Sequence, residues 1–148
     1  QLDLAIAFGA CVVITKAHGP DAIATECARH KISVLGIVPS QLRGAWPGGP
    51  KTKPSSLRVL VSWAERLPVR LAQEWKSEVV LFELLIASEY WLTFHSDCST
   101  WRDPGDGTEK HILQPLPGLD YLLLTEDGAD AAEGDVGELY LAGPTVSA

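Results

Sequence analysis

Four histidines and three cysteines are the side chains in this 148-residue sequence best able to hold a metal or attack a substrate, and their spacing supports neither role. His18, His30, His95 and His111 are scattered, and none has a Cys, Asp or Glu at ligand spacing on a shared face. Cys11, Cys27 and Cys98 contain no CxxC or Cys/His pair of metal-site type. Odd in number and widely spaced, they read as free thiols of a reducing cytosol, so the expected location is cytoplasmic. Asp97, Asp103 and Asp106 with Gly105 and Gly107 sketch a calcium loop, but the ligand order is wrong and the closing Glu is missing, so a turn is expected there. Neither a Gly-x-Ser-x-Gly nucleophile elbow nor a Gly-x-Gly-x-x-Gly fingerprint occurs.

The elements that would position any site follow from hydrophobic periodicity. Leu2 to Ala10 is apolar nearly all round, as in a buried helix ending at Gly9, and Cys11 to Thr15 reads as a short strand covered on both sides. Gly19-Pro20-Asp21 opens a second helix with Ile23 and Cys27 on one face. Ile32 to Val38 is the next strand, stopped by Pro39 and Ser40, which start a short helix through Leu42 and Trp46. A basic Pro/Gly-rich loop follows (PGGPKTKPSS). Leu57 to Ser62 is a strand, Pro68 to Lys76 a helix with Leu71 and Trp75 at i,i+4, and Val79 to Ile86 a further strand. Strands alternating with helices predict an α/β fold with a parallel sheet and crossover helices. After about Asp97 the pattern changes. Segments around Ile112, Tyr121 to Thr125 and Glu138 to Ala142 read as short strands between Asp/Gly-rich turns, the start of a smaller β-rich lobe. The expected domains are residues 1–107 and 108–148, both partial.

Composition narrows the function classes. The chain is 46% hydrophobic and 21% charged, within the ordinary globular range, and its net charge of −7 comes without any basic block. Nucleic acid and anionic membranes are therefore poor partners. The longest apolar run, Leu4 to Thr15, is about 12 residues against the roughly 20 that a bilayer requires, so no transmembrane segment is expected. The sequence opens without Met and closes in Thr-Val-Ser-Ala, which suggests a piece of a larger parent chain.

Three stretches in order carry a resemblance. His30 to Ala45 (HKISVLGIVPSQLRGA) has an apolar strand running into Pro-Ser and a Leu-containing helix. Leu57 to Trp75 (LRVLVSWAERLPVRLAQEW) has a Leu-Arg, an apolar strand, a Glu, then Leu-Pro and an amphipathic helix with Trp. Glu133 to Ala148 (EGDVGELYLAGPTVSA) has a Gly-x-x-Gly-Glu-Leu strand followed by Gly-Pro, and Gln114 to Gly128 (QPLPGLDYLLLTEDG) fits the strand pair before it. Together they resemble the adenylate-forming (AMP-binding) superfamily of acyl-CoA synthetases and nonribosomal peptide adenylation domains. The family's phosphate loop, with its Lys, would then precede Gln1 and its ribose-binding Asp and catalytic Lys would follow Ala148, so no catalytic residue is assigned within the chain.

The resemblance also implies a site. The family's Tyr-Gly-x-Thr-Glu element matches Leu85-Ile86-Ala87-Ser88-Glu89. Leu85 and Ser88 would flank ATP, and Glu89 would hold Mg²⁺ bridging its phosphates, since Mg²⁺ takes few protein carboxylates. Leu85 and Ile86 depart from the pattern, replacing a stacking Tyr and a Gly. The plainer reading of Glu89 is a solvated residue at a helix start. The family's Gly-Gly-Glu element reads Trp63-Ala64-Glu65 and would also border the nucleotide, with an indole in place of bare backbone. Alternatively Trp63 packs in the core and Glu65 caps the helix that Pro68 opens. Gly36, Val61, Trp63 and Leu84 match acyl-facing positions, at strand carboxyl ends where open parallel sheets bind ligands. Gly36 reads equally well as a bulge or a close strand approach. No charge stands among these four, which favours an apolar or small uncharged acyl group.

The resemblance thus implies a piece of an ATP-dependent enzyme that turns a carboxylic acid into an acyl-adenylate. The acyl group then passes to a thiol, that of coenzyme A or of a carrier protein's phosphopantetheine. The rival reading is a degenerate, non-catalytic relative kept as a binding or scaffolding module. It draws on the altered Tyr, Gly-Gly and Gly-Arg positions, the last of these replaced by Leu113-Gln114.

Overall fold

A computed structural model describes residues 2–16, 18–101 and 112–147. His111 and the candidate turn residues Asp103, Gly105, Asp106 and Gly107 lie outside them, as does the expected 107/108 junction. The chain divides into two units, Gln1–Glu83 with Asp97–His111, and Leu84–Ser96 with Ile112–Ala148.

The first unit begins with α1 (Leu2–Ala7), after which Gly9 turns the chain at φ +62°. The expected strand Cys11–Thr15 is absent. A strand needs a neighbour to take its backbone N–H and C=O groups. Among the described residues this run joins no strand ladder, and Ile14 is 84% exposed. Apolar composition alone did not supply a neighbouring strand.

From α2 (Pro20–Arg29) onward the expected alternation holds. Pro20 starts α2 with Asp21 in its first turn and Arg29 in its last, both favourable to the helix dipole. Its Cys27 is buried and Ile23 packs beside it on the core. Next come β1 (Val34–Ile37), α3 (Pro39–Ala45), β2 (Val59–Ser62), α4 (Val69–Trp75) and β3 (Val80–Leu85), the last of which enters the second unit at Leu84. The strands pair in parallel, β1 with β2 and β2 with β3, in the register Gly36↔Val61↔Phe82 and Ile37↔Ser62↔Glu83.

Alternation along each strand sorts the residues by face. Leu35, Ile37, Leu60, Ser62, Leu81 and Glu83 share the face that meets the core, where Leu60 and Ser62 are fully buried. Val34, Gly36, Val59, Val61, Val80 and Phe82 share the other, on which Val34 is 59% and Val80 51% exposed. Against the covered face lie Leu42, Ala45 and Trp46 from α3 and its end, and Leu71, Ala72 and Trp75 from α4. Trp46 meets Trp75 edge to face at 5.5 Å. Helices α2 and α3 approach so closely that a Cβ on Gly44 would stand 2.6 Å from Pro20 Cγ, which accounts for glycine inside α3.

In the second unit β4 (Phe94–Asp97, its last residue counted with the first unit) pairs antiparallel with β5 (Gln114–Pro115), two residues past the strand expected at Ile112. β6 (Asp120–Leu124) and β7 (Glu138–Ala142) form an antiparallel ladder from Asp120↔Ala142 to Leu124↔Glu138, as their alternating pattern and Asp/Gly-rich turns require. The architecture is therefore the expected α/β class, a parallel sheet with crossover helices followed by short antiparallel strands.

Candidate functional site

The expected residues fall in two groups, one in each unit. Gly36, Val61, Trp63, Ala64 and Glu65 belong to the first. Gly36 and Val61 are register neighbours on the same face near the carboxyl ends of β1 and β2, and both are half-buried. No bulge interrupts the ladder at Gly36, whose partner is simply the next in sequence order. Trp63 is the first residue past β2. It is half-buried and outside the core cluster, unlike Trp46, Trp75 and Trp101.

Ala64 follows with φ +68°, a left-handed conformation that costs a residue with a Cβ and that glycine adopts freely. Glu65 spends both carboxylate oxygens on one residue: Oε1 accepts from Ser40 Oγ at 2.7 Å and Oε2 from Ser40 N at 3.0 Å. Ser40 is the second residue of α3, so its N–H has no partner within the helix. Glu65 thus caps α3, not the helix that follows it. At the start of α4, the Leu67 N–H donates instead to Glu83 Oε1 at 2.8 Å.

Leu84, Leu85, Ser88 and Glu89 belong to the second unit. Leu84 shares the face of Phe82 along β3 and is half-buried, and the Leu85 carbonyl accepts from Thr93 Oγ1 at 3.1 Å. Ser88 and Glu89 stand exposed in a bend, and no helix starts there. The bend is held by its backbone. Glu89 O accepts from Ser147 N at 2.8 Å and from Ser147 Oγ at 2.9 Å, Ala87 N donates to Tyr90 O at 3.0 Å, and Trp91 N donates to Thr145 O at 2.8 Å. The Glu89 carboxylate itself bonds to no described residue, and its backbone is tied through the carbonyl to Ser147.

That disposition fits a magnesium–nucleotide complex, which needs one or two protein carboxylates and draws its other ligands from phosphate and water. Among the described residues no three His, Cys, Asp or Glu side chains cluster as a self-sufficient metal cage. A shallow cavity of about 420 Å³ lies at the amino ends of β2 and β3, lined by Lys53, Arg58, Lys76 and Glu78 among others, and contains none of the expected site residues.

Two thiols can be set aside as nucleophiles. Burial, assisted by the Glu83 carboxylate, pushes Cys98 up to about 12, and burial next to Glu26 raises Cys27. Ser40 and Glu83 are the contributors that sequence reasoning did not single out. Ser40 finds its partner 25 residues away, beyond any local signal. Glu83 did leave one, a lone charge within the apolar run Val79 to Ile86.

Known proteins share this fold. Novobiocin biosynthesis protein H of Streptomyces niveus is 33% identical over 88 residues, which is 59% of this chain and 14% of that protein. A benzoate CoA ligase from Burkholderia xenovorans LB400 superposes with a TM-score of 0.77 at 21% identity, covering 96% of this chain and 29% of its own. The O-succinylbenzoate coenzyme A synthetase of Bacillus subtilis, solved with ATP and magnesium ion, does so at 0.78 with 17% identity, covering 99% and 30%. The chain therefore spans less than a third of the length of each of these relatives. No helix among the described residues is long and apolar enough to cross a membrane. With a family match running unbroken over residues 2–148, this chain belongs to the AMP-binding enzymes.

Proposed function

We propose that the chain is a middle portion of an ATP-dependent ligase that activates a carboxylic acid as its acyl-adenylate and delivers the acyl group to a thiol. The observation that carries this is the family match along the chain, together with the position of Gly36, Val61 and Trp63 at the carboxyl ends of parallel strands. Gly36, Val61, Trp63 and Leu84 face the acyl group. They present no charge, which suits an apolar or small uncharged acid. Trp63, Ala64, Glu65, Leu85 and Ser88 border the nucleotide, with Glu65 acting through the turn that it holds.

Glu89 would carry Mg²⁺, which when bound neutralises phosphate charge as the carboxylate oxygen attacks the α-phosphorus and pyrophosphate leaves. The chain's own residues orient the acid and shield it from water. Coenzyme A or a carrier protein's phosphopantetheine then accepts the acyl group, and residues 1–107 and 108–148 contribute to separate lobes.

ATP–pyrophosphate exchange tests this. A full-length protein containing the chain should exchange label with at least one acid from an aliphatic and aromatic panel, whereas the 148-residue chain alone should not. No exchange by the full-length protein with any acid, while its nucleotide binding persists, would favour the second reading, a non-catalytic module. That reading is supported by Ala64, which occupies a left-handed position where the family motif has glycine.

A further inference from the structure

We propose that Ser40 and Glu65 form a latch between the carboxyl ends of β1 and β2 that positions Trp63 and thereby sets which acids are accepted. The selectivity half of this proposal rests on the reading of Trp63 as a wall of the acyl site; the latch itself does not.

The pair is not a by-product of burial, since both residues are exposed. An exposed glutamate ordinarily gives its oxygens to water. Here both are committed to one serine 25 residues earlier, at 2.7 and 3.0 Å, through that residue's hydroxyl and its backbone N–H. The N-cap of α3 is Val38, whose side chain cannot accept a hydrogen bond, so the cap is supplied from the loop after the adjacent strand.

The consequence for the loop is mechanical. Ser62 is fixed in the β2 ladder between Ile37 and Glu83, and Glu65 is fixed to α3. Only Trp63 and Ala64 lie between these anchors. Ala64 adopts φ +68°, a conformation that persists in a residue with a Cβ only where the surroundings impose it. Arg66 and Leu67 lead away into α4, with the Leu67 amide tied to Glu83. A two-residue span held at both ends leaves Trp63 little freedom of backbone direction, so the depth to which the indole reaches is dictated by a bond it does not make. Ser40 and Glu65 are positioning residues in this scheme.

Two measurements on the full-length protein separate the parts. In the first, native-state hydrogen exchange should find the Ser40 amide protected despite its exposure. Glu65→Ala should accelerate its exchange about tenfold, the loss expected for a removed cap. Glu65→Gln, which retains an acceptor for that amide, should restore most of the protection. In the same samples labelled with fluorotryptophan, the Trp63 ¹⁹F resonance, assigned through Trp63→Phe, should shift or broaden in Glu65→Ala and recover in Glu65→Gln. An unmoved Ser40 amide or an unmoved Trp63 resonance overturns the latch.

In the second, the ratio of kcat/KM between a short and a long acid should change about tenfold in Glu65→Ala, through KM for the acid more than through kcat, and return in Glu65→Gln. An unchanged ratio overturns the selectivity claim even if the resonance moves. Absence of activity in the wild type is a different failure. It removes the ligase reading and the selectivity claim built on it, and leaves the latch to be judged by exchange and ¹⁹F.

Discussion

Replacing Trp63 by glycine separates a wall of the acyl site from a member of the core. Trp63 is half-buried and outside the core cluster, whereas Trp75 is 1% exposed and packs against Trp46. A fully buried tryptophan removes about 150–250 Å² from water, worth roughly 4–6 kcal/mol at about 25 cal/mol per Å². Half of that, with up to about 1 kcal/mol for glycine's backbone entropy, puts the cost of Trp63→Gly at about 2–4 kcal/mol, with the lower end expected because Ala64 and Glu65, which follow it, are already exposed. Trp75→Ala should cost about 3–5 kcal/mol through the cavity it leaves.

Urea melts of both variants give the stabilities. Exchange assays across straight-chain acids in the full-length protein give the preference. Removing the indole should favour longer acids, and at about 0.8 kcal/mol per buried methylene, a few carbons change relative kcat/KM by on the order of tenfold or more. Destabilisation matching that of Trp75→Ala, with the chain-length profile unaltered, would refute the pocket assignment.

Three further outcomes concern the thiols and Glu83. At pH 8 an alkylating reagent should label the exposed Cys11 and spare the buried Cys27 and Cys98. The Cys98 thiol has its folded pKa raised to about 12 from an ordinary value of 9.0, so its neutral form is favoured in the folded state. Its contribution to stability is complete below pH 9 and is lost as pH rises toward 12, at about 1.4 kcal/mol per unit; a Cys98→Ala variant whose alkaline slope equals that of the wild type would count against this. Glu83→Ala leaves the buried Leu67 amide without its acceptor and should cost about 1–3 kcal/mol, whereas Glu83→Gln retains the bond and should cost less, a ranking that denaturant melts can reverse.

What could be read in the sequence was local. The apolar runs before Pro39, after Leu57 and after Val79 became β1, β2 and β3, and the i,i+4 pair Leu71 and Trp75 became the buried side of α4, because such patterns state which face is covered. Cys11–Thr15 misled for the complementary reason: a strand is defined by its neighbour, and an apolar run does not contain one. β4 left no apolar run, since three of the four residues Phe94-His95-Ser96-Asp97 are polar, and the burial of Ser96 follows from tertiary contacts alone. At the site, motif resemblance pointed to Trp63–Glu65 and Ser88–Glu89. It held no trace of the Ser40–Glu65 bond, which joins residues brought together only when β1 and β2 lie side by side.

The two faces of the parallel sheet differ in what their apolar residues do. On the covered face the apolar residues are explained by the core they fill. On the other, Val34, Val59, Val61, Val80 and Phe82 are apolar with no comparable cover among the described residues. Valine serves there in a second capacity: a β-branched side chain is stiff at χ1 and suits extended backbone, so it supports the strand whether or not the face above it is covered.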